Sequence, residues 1–306
     1  MAKIIYIMGT GHSGSTLLDI TLGSHPDIFN ASEIGNFWRH ALSARSNEAI
    51  CSCGEPLDRC PIWAGRVERW QALSGEPDLR AYRAFNDRFA RLSNWSGIIR
   101  AGQTKSPDFE RYARANRALF EMTQKASQRN AITDSSKSPA RALALSVDPD
   151  IDLFVIHLVR DARAVAWSHL KRENRRRAQG RKASSFGVLG TVFEWLMINT
   201  AGNRLRARLP AGRSALIRYE AWIKDPLPIF EQLGQQMGLD LATPLAESLR
   251  ARVITNRSHI FNGNHIRLNE TLTLRLDTDW QTALSANQQR LAMAISGGMM
   301  RSFGYR

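Results

Sequence analysis

Gly9-Thr10-Gly11-His12-Ser13-Gly14-Ser15-Thr16 is the stretch of this chain whose residue types and spacing best suit chemistry. It follows the apolar run Lys3–Met8 and precedes Leu17-Leu18-Asp19-Ile20, where apolar residues return at helical spacing. Strand, glycine-rich turn and helix in that order form a phosphate cradle. Glycines let the backbone wrap an anion so that successive N–H groups converge on it. The first turn of the helix adds unpaired N–H groups at the positive end of its dipole. Ser13, Ser15 and Thr16 contribute hydroxyls. Gly9-x-x-x-x-Gly14 has the spacing of a Walker A loop, yet Ser15 stands where that loop has its lysine. That lysine contacts the β- and γ-phosphates of a triphosphate, so ATP and GTP fit poorly, and the loop suits a phosphate carrying something else.

A second anion-binding group follows another apolar run. Leu153–Val159 ends in Arg160-Asp161, and a helix begins with Ala162 and reaches Ser168. A triphosphate hydrolase usually has an acidic residue for Mg²⁺ at the end of such a strand. Arg160 instead offers a planar fork matched to phosphate oxygens, with Asp161 as a helix cap or a partner for the arginine. Glu33 follows a short strand and Lys137 lies in the turn Asp134-Ser135-Ser136-Lys137-Ser138-Pro139. His25 offers an imidazole that could act as a base, although a His-Pro pair reads more readily as a turn.

These residues must be positioned by elements. The runs Lys3–Met8, Ile28–Ser32, Ala131–Asp134, Leu153–Val159 and Ser214–Arg218 are continuously apolar or β-branched and predict strands covered on both faces. Amphipathic periodicity predicts helices over Asp78–Arg100, Pro107–Arg129, Phe186–Leu209, Pro226–Leu239 and Ala286–Met300. The expected fold class is α/β, a P-loop NTPase-like parallel sheet flanked by helices. Residues 39–128 break the alternation and read as a helical insertion covering an acceptor. No linker or repeat divides the chain, so residues 1–306 are expected to form one domain.

With 306 residues, 43% hydrophobic and 23% charged, the composition is that of an ordinary globular protein. The formal charge of +14 suits nucleic acid, or else a polyanionic nucleotide together with an anionic acceptor. Much of the excess lies in Lys171-Arg172-Glu173-Asn174-Arg175-Arg176-Arg177 and Arg181-Lys182. That run lacks interleaved aromatics and reads as a solvated helix end, so no nucleic-acid partner is expected. The sequence shows no signal peptide and no run long enough for a membrane span, and a cytoplasmic protein is expected. Cys51, Cys53 and Cys60 cluster without the spacing of a paired zinc knuckle. Packed thiols are the favoured reading; zinc would need a fourth ligand, with His40 the nearest candidate, and no metal is expected.

Ser13-Gly14-Ser15-Thr16-Leu17-Leu18, taken with Val159-Arg160-Asp161-x6-Ser168, resembles the bacterial sulfotransferases, relatives of the tyrosylprotein and carbohydrate sulfotransferases. The resemblance implies 3′-phosphoadenosine 5′-phosphosulfate as donor and adenosine 3′,5′-bisphosphate as product. Gly11, His12, Ser13, Gly14, Ser15 and Thr16 would then hold the 5′-phosphosulfate, and Arg160 and Ser168 the 3′-phosphate, two sites separated by a nucleoside. His25-Pro26-Asp27…Glu33 is similar to the segment bearing the family's catalytic base, here Glu33. Lys137 matches its lysine-containing turn, Tyr219-Glu220 its Tyr-Glu turn, and Gly263-Asn264-x-x-Arg267 its donor-covering loop. Many relatives carry Arg or Lys where this chain has His12, whose charge is then expected to make donor affinity depend on pH, unless Lys137 supplies the charge. The acceptor, a hydroxyl or amine on a metabolite, glycan or lipid headgroup, is not legible. An ATP-dependent kinase and a basic nucleic-acid-binding module are the alternatives.

Overall fold

Lys3–Met8 becomes the central strand of a parallel sheet because every residue after Lys3 is buried and apolar enough to be covered on both faces. In this computed structural model, which describes residues 2–43, 49–182 and 187–305, that strand is β1. β2 (Ile28–Asn30), β3 (Ala131–Lys137), β4 (Leu153–Val159) and β5 (Ser214–Arg218) complete a 5-stranded sheet in the order β2-β3-β1-β4-β5. Every pairing is parallel. Each crossover therefore returns the chain to the same end, and the residues leaving all five strands emerge on one rim.

Alternation along β1 explains its unbroken apolarity. Ile4, Tyr6 and Met8 face a core that includes Ile132, Val155 and Phe120. Ile5 and Ile7 face a second core with Leu18, Ile156 and Ile217. Each such side chain contributes roughly 1.5–3 kcal/mol through burial. The first core is completed by helices Arg66–Ser74, Leu79–Phe89, Trp95–Thr104 and Pro107–Ser127, all from segment 39–128. Trp38, Trp70 and Tyr82 interlock there with ring centroids 4.9 to 5.9 Å apart. Helices Ser15–Gly23 and Pro226–Met237 cover the other face.

Several expected boundaries shift. The helix expected over Asp78–Arg100 is two helices. Asp78 caps the first by accepting from the N–H groups of Arg80 and Ala81, and Asn94 Nδ2 closes its end on the Phe89 carbonyl at 2.9 Å. β2 stops at Asn30, before Ser32 turns to a φ of 53°. β3 runs on to Lys137 across an irregularity in its pairing with β1. Phe186 and residues 44–48 lie outside the described residues; the helix expected from Phe186 is seen over Val188–Arg206. A short antiparallel ribbon of β6 (Val253–Thr255) and β7 (Thr271–Thr273) was not anticipated, each strand being only 3 residues long. No helix among the described residues is long and apolar enough to cross a membrane.

Asp19 of the first helix is fully buried, accepts from the Thr133 hydroxyl of β3, and leaves Oδ2 without a hydrogen-bond partner among the described residues. Burial pushes its carboxyl up to about 7 from an ordinary 3.8, against the opposing hydrogen bond from Thr133. Between those values the unfolded chain ionises Asp19 while the folded chain keeps the proton. Its contribution to stability is therefore lost as pH rises through that window, by on the order of 4 kcal/mol. Asp19→Asn should remove this dependence. Melting temperatures compared from pH 4 to 8 should show the variant gaining on the parent as pH rises, and parallel curves would show that Asp19 does not titrate in this way.

Candidate active site

The turn after β1 is held open from below. Gly9 N donates to the Lys137 carbonyl at 3.1 Å, and a Cβ on Gly9 would strike the Leu158 carbonyl. Gly14 caps helix Ser15–Gly23 at a φ of 91°, and a Cβ there would collide with the Tyr219 ring. No side chain caps that helix, so its first N–H groups stay available to an anion. Ser13 is fully buried, and its hydroxyl has no hydrogen-bond partner among the described residues. A buried hydroxyl without a partner costs about 1–3 kcal/mol, which a ligand oxygen would recover. Gly11 is exposed at the tip, and Ser15 and Thr16 are buried in the first helical turn.

Arg160, leaving β4, is 6% exposed. Its Nη1 donates both to the His12 carbonyl at 3.0 Å and to Ser168 Oγ at 3.3 Å. Its guanidinium lies 4.6 Å from the centroid of Tyr219. Tyr219, leaving β5, thus touches both the Gly14 turn and the arginine. The two expected anion sites adjoin, because Arg160 bonds directly to the loop backbone. Asp277, which sequence reasoning missed, closes the site with its carboxylate 3.4 Å from Arg160 Nη2 and 3.1 Å from Lys171 Nζ. Asp161 is engaged by the backbone and side chain of Arg163.

Between β2 and β3, Glu33 and Lys137 form an ion pair in which both side chains are about one-fifth exposed. Asn36 Nδ2 donates to Glu33 Oε2 at 2.9 Å, and Asn262 Nδ2 donates to the Glu33 carbonyl at 2.8 Å. Behind the pair, Ser136 Oγ accepts from Gly35 N at 2.8 Å. Arg141 bridges Asp134, at 3.0 Å, and Asn116 of helix Pro107–Ser127, at 2.7 Å. A Cβ on Gly35 would crowd Arg141 and Ser136. Asn262 and Arg141 carried no local signal, since Glu33 and Asn116 reach them only through the fold. His12, Ser32 and Lys137 hold φ values of 65°, 53° and 70°. Such left-handed residues cost on the order of 1 kcal/mol or more each and concentrate at functional sites.

Other expectations resolve differently. His25 is buried, its Nε2 against the Asp240 carbonyl at 2.8 Å and its Nδ1 accepting from Asp27 N; it pins a turn. Arg267 donates to the carbonyls of Ile50, at 3.0 Å, and Ile260, at 3.4 Å, and the structure does not join it to Arg160 or the Gly14 turn among the described contacts. The expected pH-dependent charge on His12 is corrected. Burial first, then Arg172, His169, Arg160 and Lys137, hold it down to about 4, so the ring is neutral near pH 7. His12→Asn should accordingly leave the pH dependence of nucleotide affinity unchanged between about pH 6 and 8. A pH step in the parent that vanishes in the variant would contradict this.

A cleft of about 350 Å³ opens beside the ion pair, lined by Gly35, Asn36, Ser136 and Arg141 and by Arg39 and Arg91 of segment 39–128. A larger groove of about 530 Å³, between the end of helix Pro107–Ser127 and Asn130, includes none of the candidate residues.

A glycine-rich turn on the carboxyl rim of a parallel sheet flanked by helices puts this protein in the P-loop-like α/β class. The chain belongs to the sulfotransferase family, whose sequence model matches residues 5–243. It is 22% identical over 335 aligned positions to carbohydrate sulfotransferase 5 of Mus musculus, covering 99% of this chain and 80% of the mouse protein. Among solved structures, the sulfotransferase domain from the curacin biosynthetic pathway superposes with a TM-score of 0.53 at 17% identity, over 100% of this chain and 99% of that one. A sulfotransferase from Mycobacterium avium superposes with a TM-score of 0.53 at 15% identity, covering 100% and 78% respectively. Family membership implies a sulfate donor and an acceptor substrate.

Proposed function

We propose that this protein moves a sulfuryl group from 3′-phosphoadenosine 5′-phosphosulfate to an acceptor hydroxyl or amine, and that residues 1–306 act as one unit with segment 39–128 covering the acceptor. The observation that carries this reading is Arg160 Nη1 shared between the His12 carbonyl and Ser168 Oγ, beside the unpartnered hydroxyl of Ser13. The donor carries two phosphate esters on one ribose, and a wall common to two anion sites suits that spacing. In this assignment Gly11 to Thr16 hold the phosphosulfate, and Arg160, Ser168 and Tyr219 hold the 3′-phosphate end.

The acceptor attacks sulfur in line, its proton passes to Glu33, and the bond from sulfur to the 5′-phosphate oxygen breaks with its electron pair left on that oxygen. Lys137 and the loop N–H groups stabilise the charge developing there, and the site otherwise works by alignment. The cleft lined by Arg39, Arg91 and Arg141, offset in part by Asp87 beside Arg39, keeps a net positive lining that favours an acceptor bearing negative charge. Thermal melting with adenosine 3′,5′-bisphosphate, ATP–Mg²⁺ and GTP–Mg²⁺ tests the donor. A ligand at 100 times its Kd stabilises the folded state by about 2.7 kcal/mol, and the bisphosphate should give the largest shift without a metal. A larger shift with ATP–Mg²⁺ would make the protein a kinase-like enzyme instead.

A further inference from the structure

Cys51, Cys53, Cys60 and His259, none of them assigned to the transfer chemistry above, converge on one point. Their candidate ligand atoms all lie within 4.8 Å of one another. Cys60 Sγ is 3.6 Å from Cys51 Sγ, 3.9 Å from Cys53 Sγ and 3.3 Å from His259 Nδ1. A zinc ion with Zn–S of about 2.3 Å and Zn–N of about 2.05 Å requires tetrahedral edges of about 3.8 Å between sulfurs and about 3.6 Å between sulfur and nitrogen. The three separations from Cys60 match those edges to within a few tenths of an ångström, and the remaining pairs lie within 4.8 Å. Sequence spacing pointed to His40, but its ring packs edge-on against Phe261. His259 arrives from the C-terminal part of the chain instead.

The surroundings match a metal–thiolate centre in two further respects. Backbone amides of Cys53, Ile62 and Trp63 lie beside the sulfurs of Cys51 and Cys60, where outer-shell groups orient thiolate ligands. Cys51 and Cys60 are buried while Cys53 is exposed, which leaves a path for an ion to enter. Three thiols cannot be consumed by one disulfide, and three thiolates with one neutral imidazole complete a closed structural set.

We propose that Cys51, Cys53, Cys60 and His259 form a structural zinc site that staples the start of segment 39–128 to the loop 256–264. The two segments are already laced together around it. Ser52 N donates to the Ile260 carbonyl at 2.9 Å, Ile260 N to Ser52 Oγ at 2.8 Å, and Ser52 Oγ to the Ser258 carbonyl at 2.6 Å. Three residues after His259, Asn262 holds the backbone of Glu33. The metal therefore acts as a tie that fixes the loop behind the carboxylate and takes no part in the reaction itself. Because binding requires deprotonated thiols, it releases protons and adds its free energy to folding.

The full chain expressed with zinc should carry one zinc per chain by elemental analysis. Exchange with cobalt should give the thiolate charge-transfer band and the intense visible absorption of a tetrahedral site. Cys53→Ser, at an exposed position, and His259→Ala should each weaken zinc by more than the about 100-fold typical of losing an outer-shell partner. Both should keep native circular dichroism and the melting shift with adenosine 3′,5′-bisphosphate. Chelation should lower the melting temperature and raise hydrogen exchange in residues 256–264. Substoichiometric metal, a disulfide between any two of the cysteines in protein purified without reductant, undiminished zinc affinity in both variants, or removal of zinc without effect on loop 256–264 would each overturn the assignment.

Discussion

Glu33→Gln should lower the rate of sulfuryl transfer by about 10²- to 10⁴-fold, the range of a general base, while adenosine 3′,5′-bisphosphate binds as well as before. Glutamine keeps the shape of the side chain and can still accept from Asn36, so the turn at Ile34–Asn36 should survive. What it loses is the proton acceptor and the negative partner of Lys137. Released from that pair, Lys137 has no carboxylate of Glu33 competing for an anion, and under the proposed assignment nucleotide affinity should hold or rise. The measurement is single-turnover donor consumption with accepted alcohols or amines, alongside direct titration of the bisphosphate. Loss of binding in step with loss of rate would instead make Glu33 a structural residue of the rim.

Arg160→Ala should cost about 30- to 100-fold in affinity for adenosine 3′,5′-bisphosphate, the worth of one or two charge-assisted hydrogen bonds, and much less for adenosine 5′-monophosphate. The contrast matters because Arg160 also holds the His12 carbonyl and stacks on Tyr219. A general collapse of the turn would weaken both nucleotides alike. Isothermal titration with the pair of ligands separates the two outcomes. Arg160→Lys should recover part of the affinity, since the charge remains while the planar fork is lost. Equal losses for both nucleotides in both variants would assign the arginine to holding the turn alone.

The sheet was legible because burial on both faces leaves a compositional mark. β1, β4 and β5 occupy the expected residues; β1 and β4 are buried almost throughout and read as apolar runs, while β5 at the sheet edge is buried only at Ile217. The ends of β2 and β3 were not legible. Ser32 and Lys137 adopt left-handed backbones that nothing in their residue types announces, and the continuation of β3 depends on its pairing with β1. Within segment 39–128, periodicity ran through the break at Ala90 and Arg91 because the apolar phase is almost preserved across it. At the rim, glycines, Arg160 and Ser168 stood out through local motifs. Asn262, Arg141, Asp277 and His259 did not, since each acts on partners brought near only by folding. His12 shows the same limit in charge: its residue type suggests a titrating group, and only the packed cations and burial around it make it neutral.

The carboxylate of Asp277 has one more consequence. In the free protein it is shared between Arg160 and Lys171 and offsets one of their two positive charges, so the guanidinium enters the encounter with an internal counter-ion already in place. Under the proposed assignment, nucleotide arrival is an exchange of one anion for another. A cleft that carries its own counter-ion projects a weaker long-range field than its count of cations suggests. Capture of the nucleotide should then slow less as ionic strength rises than it would at a bare cluster of the same arginines and lysines.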